Sequence, residues 1–449
     1  MLYKLTNLRS GIILLTAIIA IQILITPCTS MSAGFTTIDS GLGHTLALTN
    51  DGTVWAWGKN TYGELGDGTK NDRPKPVQVS INNVTDVCAG GEISYAIKSD
   101  GTVRAWGVNN DRRLGTGSSG DLTIPTQVMI SDIMDISTYG MHTIALKKDG
   151  TVWAWGVNNA GQLGDGSCED RSTPVMVNNI HNIKNISAGN AHTLALDYDG
   201  NVWSWGENCY GQIGDGTMDN SPIPQKVDIS NVRFISAGYG SSAAVKNDGS
   251  VWVWGWIYNP EQGSKNLLTP TRVNIEDVVS LDCGFGHYVA LKRDGTVWCW
   301  GTNYNGQLGT GDSLITYRAS PIKASDLYGV IAIASGDKYS SAIKKDGTIW
   351  GWGDNQFGQL GGDTLKEIRT PVKIHLDDST DDIGQKDATS TAIPVISDRV
   401  SSDQETGFST IADTITALAS FFNATIVILI FGTLLVTGAT VYLLIIKKR

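Results

Sequence analysis

The chain has 449 residues, a formal net charge of −10 at pH 7 and six cysteines. The acidic balance argues against nucleic-acid binding, because proteins that bind nucleic acid draw much of their affinity from basic residues that neutralise phosphates. No two cysteines form a Cys-x-x-Cys pair, so a zinc site built from thiolates is not expected.

Residues 1–33 have the pattern of a secretory signal peptide. Lys4 and Arg9 form a basic start, the apolar stretch Ile12–Ile25 follows, and small residues come next. The apolar stretch is too short to favour a membrane-spanning helix. We therefore predict cleavage after Ser30 or Ala33. An uncleaved N-terminal anchor is the alternative.

A repeated phrase, Asp-Gly-x-Val-Trp-x-Trp-Gly, dominates residues 34–375. Arg104 replaces the first tryptophan of the second copy, and Ile349 replaces the valine of the seventh. Successive copies lie 49, 49, 50, 49, 46 and 52 residues apart, and they begin at Asp51, Asp100, Asp149, Asp199, Asp248, Asp294 and Asp346. A period near 50 residues predicts a supersecondary unit that buries its apolar faces only against its neighbours.

Each repeat is predicted to hold about four short antiparallel strands, because short apolar runs alternate with glycine and aspartate. Asp-Gly between two apolar runs indicates a hairpin with a type I′ turn. In Val54–Trp57 both alternating faces are apolar, so the sheet must be covered on both sides, as in a closed propeller. A proline predicted to start an edge strand recurs at Pro76, Pro125, Pro174, Pro224, Pro270, Pro321 and Pro371.

Three motifs of the repeats resemble those of the regulator of chromosome condensation family. They are Gly-x-x-His-Thr-x-Ala-Leu at 189–196, the Asp-Gly-x-Val-Trp-x-Trp-Gly phrase, and Asn-x-x-Gly-Gln-Leu-Gly-Asp-Gly at 158–166. The resemblance covers residues 34–375 and implies an all-β fold, a seven-bladed β-propeller. It does not imply one activity, since the family includes a nuclear exchange factor for a small GTPase and secreted proteins that inhibit enzymes by binding them.

Four histidines share one repeating position, seven residues before the aspartate of their repeat: His44, His142, His192 and His287. A ring of metal ligands is one interpretation. We favour structural hydrogen bonds from a strand to the next loop, because three repeats carry Ile93, Ser241 and Tyr339 there. Turn geometry accounts for the repeated Asp-Gly pairs. No metal, cofactor or catalytic residue is therefore predicted.

Five cysteines lie within the repeats. Cys88 and Cys283 belong to repeats two and six, which are too far apart around a ring to form a disulfide. Cys299 stands between two tryptophans and is predicted to fill space as a small apolar residue. Cys168 and Cys209 lie in loops of adjacent repeats, and a bridge between them is left open.

Departures from the repeat indicate candidate binding residues. Repeat five loses the Asn-x-x-Gly-Gln-Leu-Gly segment and carries Trp256 and Tyr258 in its place; large aromatic residues are typical of binding hot spots. The alternative is that these aromatic residues fill a packing gap. Repeat two inserts Arg112 and Arg113, a positive spot on an acidic domain. Its alternative is an ordinary solvated surface.

The C-terminal part of the chain changes character twice. Residues 376–415 are rich in aspartate, serine and threonine and are predicted to form an acidic, disordered stalk. Residues 424–446 carry no charge and are long enough to cross a bilayer. The basic tail 447–449 is predicted to stay in the cytoplasm. A cleavable lipid-anchor signal is less consistent with that tail.

The sequence therefore predicts a single-pass type I protein of the cell membrane with its propeller outside the cell. We expect it to be a binding module for an extracellular protein or glycan, with no nucleic-acid partner. The alternatives are an exchange-factor-like regulator of a small GTPase and an extracellular enzyme with its active site in the propeller channel. The sequence names neither the ligand nor the oligomeric state.

Overall fold

A computed structural model of the protein describes residues 34–257, 263–362 and 364–375. The predicted signal peptide (1–33), stalk (376–415), membrane span (424–446) and basic tail (447–449) lie outside these residues. Contacts divide the chain into the units Met1–Ser379 and Thr380–Arg449, and every described residue belongs to the first. No helix within the described ranges is long and apolar enough to cross a bilayer.

The described residues form seven antiparallel sheets of four consecutive strands, which confirms the predicted all-β, seven-bladed propeller. Blades one to three contain β1 (Phe35–Ser40), β2 (His44–Thr49), β3 (Val54–Gly58), β4 (Arg73–Gln78), β5 (Val84–Gly90), β6 (Ile93–Lys98), β7 (Val103–Gly107), β8 (Leu122–Gln127), β9 (Ile133–Thr138), β10 (His142–Lys147), β11 (Val152–Gly156) and β12 (Arg171–Met176). Blades four and five contain β13 (Ile183–Ala188), β14 (His192–Asp197), β15 (Val202–Gly206), β16 (Ser221–Lys226), β17 (Val232–Ala237), β18 (Ser241–Lys246), β19 (Val251–Ile257) and β20 (Lys265–Val273). Blades six and seven contain β21 (Val278–Cys283), β22 (His287–Lys292), β23 (Val297–Thr302), β24 (Tyr317–Lys323), β25 (Val330–Ser335), β26 (Tyr339–Lys344), β27 (Ile349–Gly353) and β28 (Ile368–Lys373).

The first strand of each blade lies at the centre of the ring, where it contacts the first strands of neighbouring blades. The fourth strand is the exposed outer edge. The prolines were predicted to start these edge strands, and that boundary is wrong: Pro76 is the fourth residue of β4. Its strand already pairs through Arg73 with Gly58 across a register shift. An outer edge tolerates the proline, because its missing N–H leaves no neighbouring strand without a donor.

The hairpins between the second and third strands also differ from the predicted type I′ turn. In the first blade only Gly52 of the Asp-Gly pair has a positive φ, 83°. The Gly52 N–H donates to the Thr49 carbonyl over 3.0 Å, which gives a type I turn followed by a left-handed glycine. Asp51 keeps this geometry because its carboxylate accepts the Thr53 N–H at 3.0 Å and the Thr49 hydroxyl at 2.6 Å.

One hydrogen-bond network joins successive blades. The Gln162 carbonyl of blade three accepts the Trp205 indole N–H and the Thr193 hydroxyl of blade four, each over 2.9 Å. The Thr193 hydroxyl in turn lies 2.9 Å from Nε2 of His142 in blade three. Since the hydroxyl donates to the carbonyl, Nε2 is the donor to the hydroxyl. The same arrangement recurs at other junctions through Glu64, Gln212 and Gln307 with Trp106, Trp254 and Trp352.

The histidines therefore have the predicted structural role, although each bonds the second strand of the next blade rather than a loop. Burial lowers the pKa of His142 to about 4, so the ring is neutral at pH 7. Within the described part of the chain, no group of three or more histidine, cysteine, aspartate or glutamate residues could hold a metal ion.

The ring closes without exchanging a strand, since each sheet is built from consecutive strands. Tyr339 of blade seven stands where other blades carry histidine, and its hydroxyl donates to the His44 carbonyl of blade one over 2.5 Å. The Trp57 indole N–H of blade one donates to the Gln359 carbonyl over 2.9 Å. Blade seven thus contacts blade one through the same tryptophan-to-carbonyl bond that joins blades one and two, three and four, four and five, and six and seven.

The cysteines of the repeats are all free. Cys88 and Cys283 are buried in β5 and β21, two of the strands at the centre of the ring. Cys299 is fully buried in an apolar cluster, which confirms its predicted role as a space-filling residue. Cys168 and Cys209 are exposed and do not form the bridge that the sequence left open.

Candidate functional site

One end of the propeller axis opens into a cavity of about 350 Å³, which we call the axial mouth. Backbone bonds tie neighbouring rim turns together: the Leu42 N–H donates to the Gly91 carbonyl over 2.9 Å, and the Phe285 N–H to the Asp337 carbonyl over 3.1 Å. The turns between first and second strands of all seven blades contribute to its lining, which consists of Leu42, Gly91, Glu92, Arg113, Tyr139, Gly140, Met141, Asn190, Tyr239, Phe285 and Asp337. The cavity is therefore framed by a hydrogen-bonded rim.

The side chains of the rim vary because only the glycine and the histidine of the Gly-x-x-His turn recur in most repeats. Blade three departs even from the glycine, and Tyr139 stands there instead. In blade four a Cβ at the equivalent Gly189 would lie 2.3 Å from Cε1 of His192. Tyr139 lines both the axial mouth and a smaller cavity of about 160 Å³ among the first strands. We call that smaller space the channel cavity.

An aromatic cluster adjoins the axial mouth between blades five and six. The Tyr239 and Phe285 rings meet edge to face with centroids 4.7 Å apart, and Trp256 packs edge to face on Phe285 at 5.8 Å. Tyr210 lies 5.9 Å from Trp256 on the other side. Trp256 is placed here because β19 continues beyond the usual end of a third strand, and its N–H donates to the Gly240 carbonyl over 2.8 Å.

The structure brings Trp256 and Arg113, two of the four candidate residues from the sequence, to the same face. Trp256 is only partly buried, so it packs in the cluster and still presents ring surface to solvent. Tyr258 lies outside the described residues. The Tyr210, Tyr239 and Phe285 rings were missed by sequence reasoning, because each is a single substitution in a turn and no residue pattern joins them.

Arg112 and Arg113 are not an insertion, since they occupy the Gly-Gln positions held by Gly161 and Gln162 in blade three. Arg112 is exposed, and Arg113 is buried, so the solvated-surface interpretation is wrong for Arg113. Its guanidinium pairs with the Asp111 carboxylate. Its carbonyl accepts the Tyr95 hydroxyl of the same blade over 3.2 Å. That hydroxyl in turn accepts the Trp155 indole N–H of blade three over 3.1 Å, which maintains the contact between the two blades.

Arg112 has a φ of +59°, and the equivalent Gly161 has a φ of +80°. A residue with a Cβ is strained in this left-handed region. We therefore expect Arg112→Gly to raise the free energy of unfolding by about 1 kcal/mol, measured as a higher urea midpoint by circular dichroism. Arg112→Ala, which keeps the Cβ, is the matched control. An equal gain from both variants would assign the effect to the arginine side chain rather than to the backbone.

Buried acids surround the propeller axis. Burial raises the pKa of Asp337 at the axial mouth, and Lys338, whose Nζ lies 3.9 Å from that carboxylate, opposes the shift. In the channel cavity burial raises the pKa of Asp39 to about 7 and also raises that of Asp282. The Asp39 carboxylate accepts the Ala89 N–H of the next blade over 2.9 Å. Because their pKa values are raised, these carboxyl groups keep their protons to a higher pH than exposed carboxyl groups do.

The arrangement is suited to binding rather than to covalent chemistry. Burial raises the pKa of the Cys88 and Cys283 thiols, which disfavours the thiolate that a nucleophile requires. By contrast, a concave site that combines aromatic rings with a few convergent polar groups is typical of ligand and partner binding.

Comparison with known proteins gives matches along the repeats. A family model described as the RCC1-like domain matches residues 22–287, more than half of the chain. Two models of the regulator of chromosome condensation (RCC1) repeat match residues 278–307 and 330–359, and 294–343 and 346–385.

Curated relatives match over short segments. The chain is 47% identical to the protein RCC2 homolog of Xenopus laevis over 57 residues, which is 12% of this chain and 11% of the relative. It is 48% identical to the ultraviolet-B receptor UVR8 of Arabidopsis thaliana over 42 residues, 9% of this chain and 10% of the receptor. The matches thus span only about a tenth of the length of these relatives.

Two solved structures are similar over most of their length. Human WBSCR16 aligns with a TM-score of 0.65 and 21% identity, covering 72% of this chain and 94% of that one. Prp20p from Saccharomyces cerevisiae, whose structure was solved with its binding properties to Gsp1p and histones, aligns with a TM-score of 0.65 and 21% identity over 78% of this chain and 89% of that one. At these identities the similarity establishes the fold alone.

Proposed function

This chain belongs to the RCC1-like domain family, and we propose that it is a binding protein whose axial-mouth face docks an extracellular protein. The observation that carries the proposal is the contrast between the repeated residues that join the blades and the variant residues at the axial-mouth face. Tryptophan, histidine and glutamine positions are repeated from blade to blade, where they hold the ring together. The variant residues Tyr139, Trp256 and Phe285 collect at one face of the propeller.

The aromatic cluster supports a binding role for that face. Hot spots of protein interfaces are enriched in tryptophan, tyrosine and arginine that pack in a rigid setting. Trp256 is held by Phe285 and Tyr210 on either side. Its side chain therefore loses little conformational entropy when a partner docks. Leu42 and Met141 on the rim are 45% and 50% exposed, and they extend the apolar surface across the axial mouth.

The proposed topology places this face outside the cell. Residues 1–33 would direct secretion, residues 376–415 would serve as an acidic stalk, and residues 424–446 would span the membrane as a type I anchor. The support is the uncharged length of 424–446 and the basic residues Lys447, Lys448 and Arg449 that follow it. An outward orientation would separate the propeller from cytosolic GTPases.

The test is cross-linking on intact cells that express the full-length chain, followed by quantitative mass spectrometry of the captured proteins. We expect proteins captured by the wild type to fall about tenfold or more with Trp256→Ala and with Phe285→Ala. Tyr198→Ala is the control, because Tyr198 is 61% exposed and lies in the turn between β14 and β15, at the opposite end of the blade.

The proposal would be contradicted if Tyr198→Ala removed the captured proteins while Trp256→Ala and Phe285→Ala did not. A glycan ligand, the other expectation from the sequence, would appear as loss of capture after the cells are treated with glycosidases. Circular dichroism of each purified variant establishes that the propeller is folded before capture is compared.

A further inference from the structure

The axial mouth contains a half-buried acid, Asp337, whose counter-ion is beyond hydrogen-bond distance. Asp337 has a side chain that is 19% exposed, and Nζ of Lys338 reaches it only at 3.9 Å. The other charged groups of the rim are paired more closely: Arg113 with Asp111, and Lys59 with Glu92. A carboxylate removed from water without a close partner is costly, so this position favours an added positive charge.

The floor of the axial mouth carries a second unsatisfied group. The Tyr139 hydroxyl is buried and has no hydrogen-bond partner among the described residues. Burial raises its pKa, and the nearby carboxyls of Asp337 and Asp282 raise it further. The Tyr139 hydroxyl is thus free to accept a hydrogen bond from a donor that enters the axial mouth.

The wall beside Asp337 is aromatic. Tyr239 and Phe285 line the axial mouth together with Asp337. A cation over an aromatic face is attracted by the ring quadrupole, and the attraction grows when water is excluded. The rings, the half-buried carboxyl and the hydroxyl acceptor together match the chemistry of an ammonium or guanidinium group.

We propose that the axial mouth receives a cationic side chain, arginine or lysine, from the partner protein. This inference rests on the proposed function and adds to it the chemistry of the group that enters the cavity. The inserted group donates hydrogen bonds to the Asp337 carboxylate and the Tyr139 hydroxyl, while Tyr239 and Phe285 cover its faces. Trp256 and Tyr210 then pack against the backbone of the inserted segment.

The probe is N-acetyl-arginine amide, titrated into the purified full-length chain by isothermal calorimetry. N-acetyl-citrulline amide is the matched ligand, because it has nearly the same shape and no charge. We expect saturable binding of the arginine amide, and binding of the citrulline amide that is at least about tenfold weaker. N-acetyl-lysine amide is expected to bind as well, since it also carries a positive charge.

Asp337→Asn is expected to weaken binding of the arginine amide about tenfold or more, and Tyr139→Phe to weaken it by a smaller factor. Asp326→Asn is the control, since it removes the same charge at an exposed loop position between β24 and β25. The proposal falls if the two amides bind equally, or if Asp337→Asn leaves binding unchanged. If the proposal falls and Trp256→Ala still reduces the capture of partner proteins, the face binds its partner through other contacts. If the arginine amide binds as expected but Trp256→Ala does not reduce capture, the proposed function is wrong.

Discussion

Trp205→Ala is expected to lower the free energy of unfolding by about 3–5 kcal/mol. Trp205 is completely buried between blades three and four, and its indole N–H donates to the Gln162 carbonyl over 2.9 Å. Truncation removes the buried ring, leaves a cavity, and deprives that carbonyl of one of its two donors. The measurement is the urea unfolding midpoint followed by far-ultraviolet circular dichroism.

Trp203→Ala is the matched control for this prediction. Trp203 lies on the same strand, β15, two residues away, but its side chain is only partly buried. We expect its loss to cost about 1 kcal/mol. If the two variants were equally destabilised, the tryptophan-to-carbonyl bond between blades would not be the main contact that holds the ring together.

When the pH is raised from 4 to 8, the unfolding free energy of Asp39→Asn is expected to increase by about 2–4 kcal/mol relative to that of the wild type. Burial raises the pKa of the Asp39 carboxyl in the folded state to about 7, from an ordinary value of 3.8. The folded chain therefore holds this proton over a range in which the unfolded chain has lost it. Stability contributed by the protonated acid is lost as pH rises towards 7, whereas asparagine does not titrate.

The comparison with the wild type is needed because the buried histidines change the pH dependence of stability in the opposite direction. Burial lowers the pKa of His192 to about 3, so the unfolded state takes up protons first and stability falls as pH drops below about 6.5. This contribution cancels between Asp39→Asn and the wild type, which share all the histidines.

Asp277→Asn, at an exposed loop position between β20 and β21, is the control for the removal of one acid. Its difference in unfolding free energy from the wild type, measured at pH 4 and pH 8, is subtracted from that of Asp39→Asn. A difference between Asp39→Asn and the wild type that did not change with pH would show that the channel carboxyl is already ionised in the folded protein.

The fold could be predicted because the same strand and turn motifs recur along the chain. The Val-Trp-x-Trp phrase occurs in successive repeats, so each repeat independently indicates a sheet that is covered on both faces. The structural role of the histidines could be predicted by comparing the repeats. Three repeats carry Ile93, Ser241 and Tyr339 at that position, which shows that the ring tolerates other side chains there. Details that depend on one backbone angle were predicted less well. The Asp-Gly turn type and the start of the proline strand depend on geometry that single-residue preferences do not specify.

The candidate site could be predicted only in part. Trp256 was found because a whole segment departs from the repeat in blade five. Tyr139 was missed, although it replaces the glycine of a Gly-x-x-His turn, since a single replacement among many variable residues carries little signal. Arg113 was a candidate binding residue with a solvated surface as the alternative, and neither interpretation anticipated its burial, because arginine is usually exposed. Its burial follows from the glutamine position that it occupies, which an alignment of the seven repeats against one another would have revealed.

Protease accessibility on intact cells would determine on which side of the membrane the propeller lies. Intact cells would express the full-length chain with one tag within residues 376–415 and a second after Arg449, and would be treated with a protease added outside. The proposed type I topology predicts that the first tag is cleaved and the second is protected. That result would place the axial mouth outside the cell, where extracellular partners can reach it. Loss of the second tag with protection of the first would contradict this topology, and an intracellular role such as regulation of a small GTPase would then become the leading hypothesis.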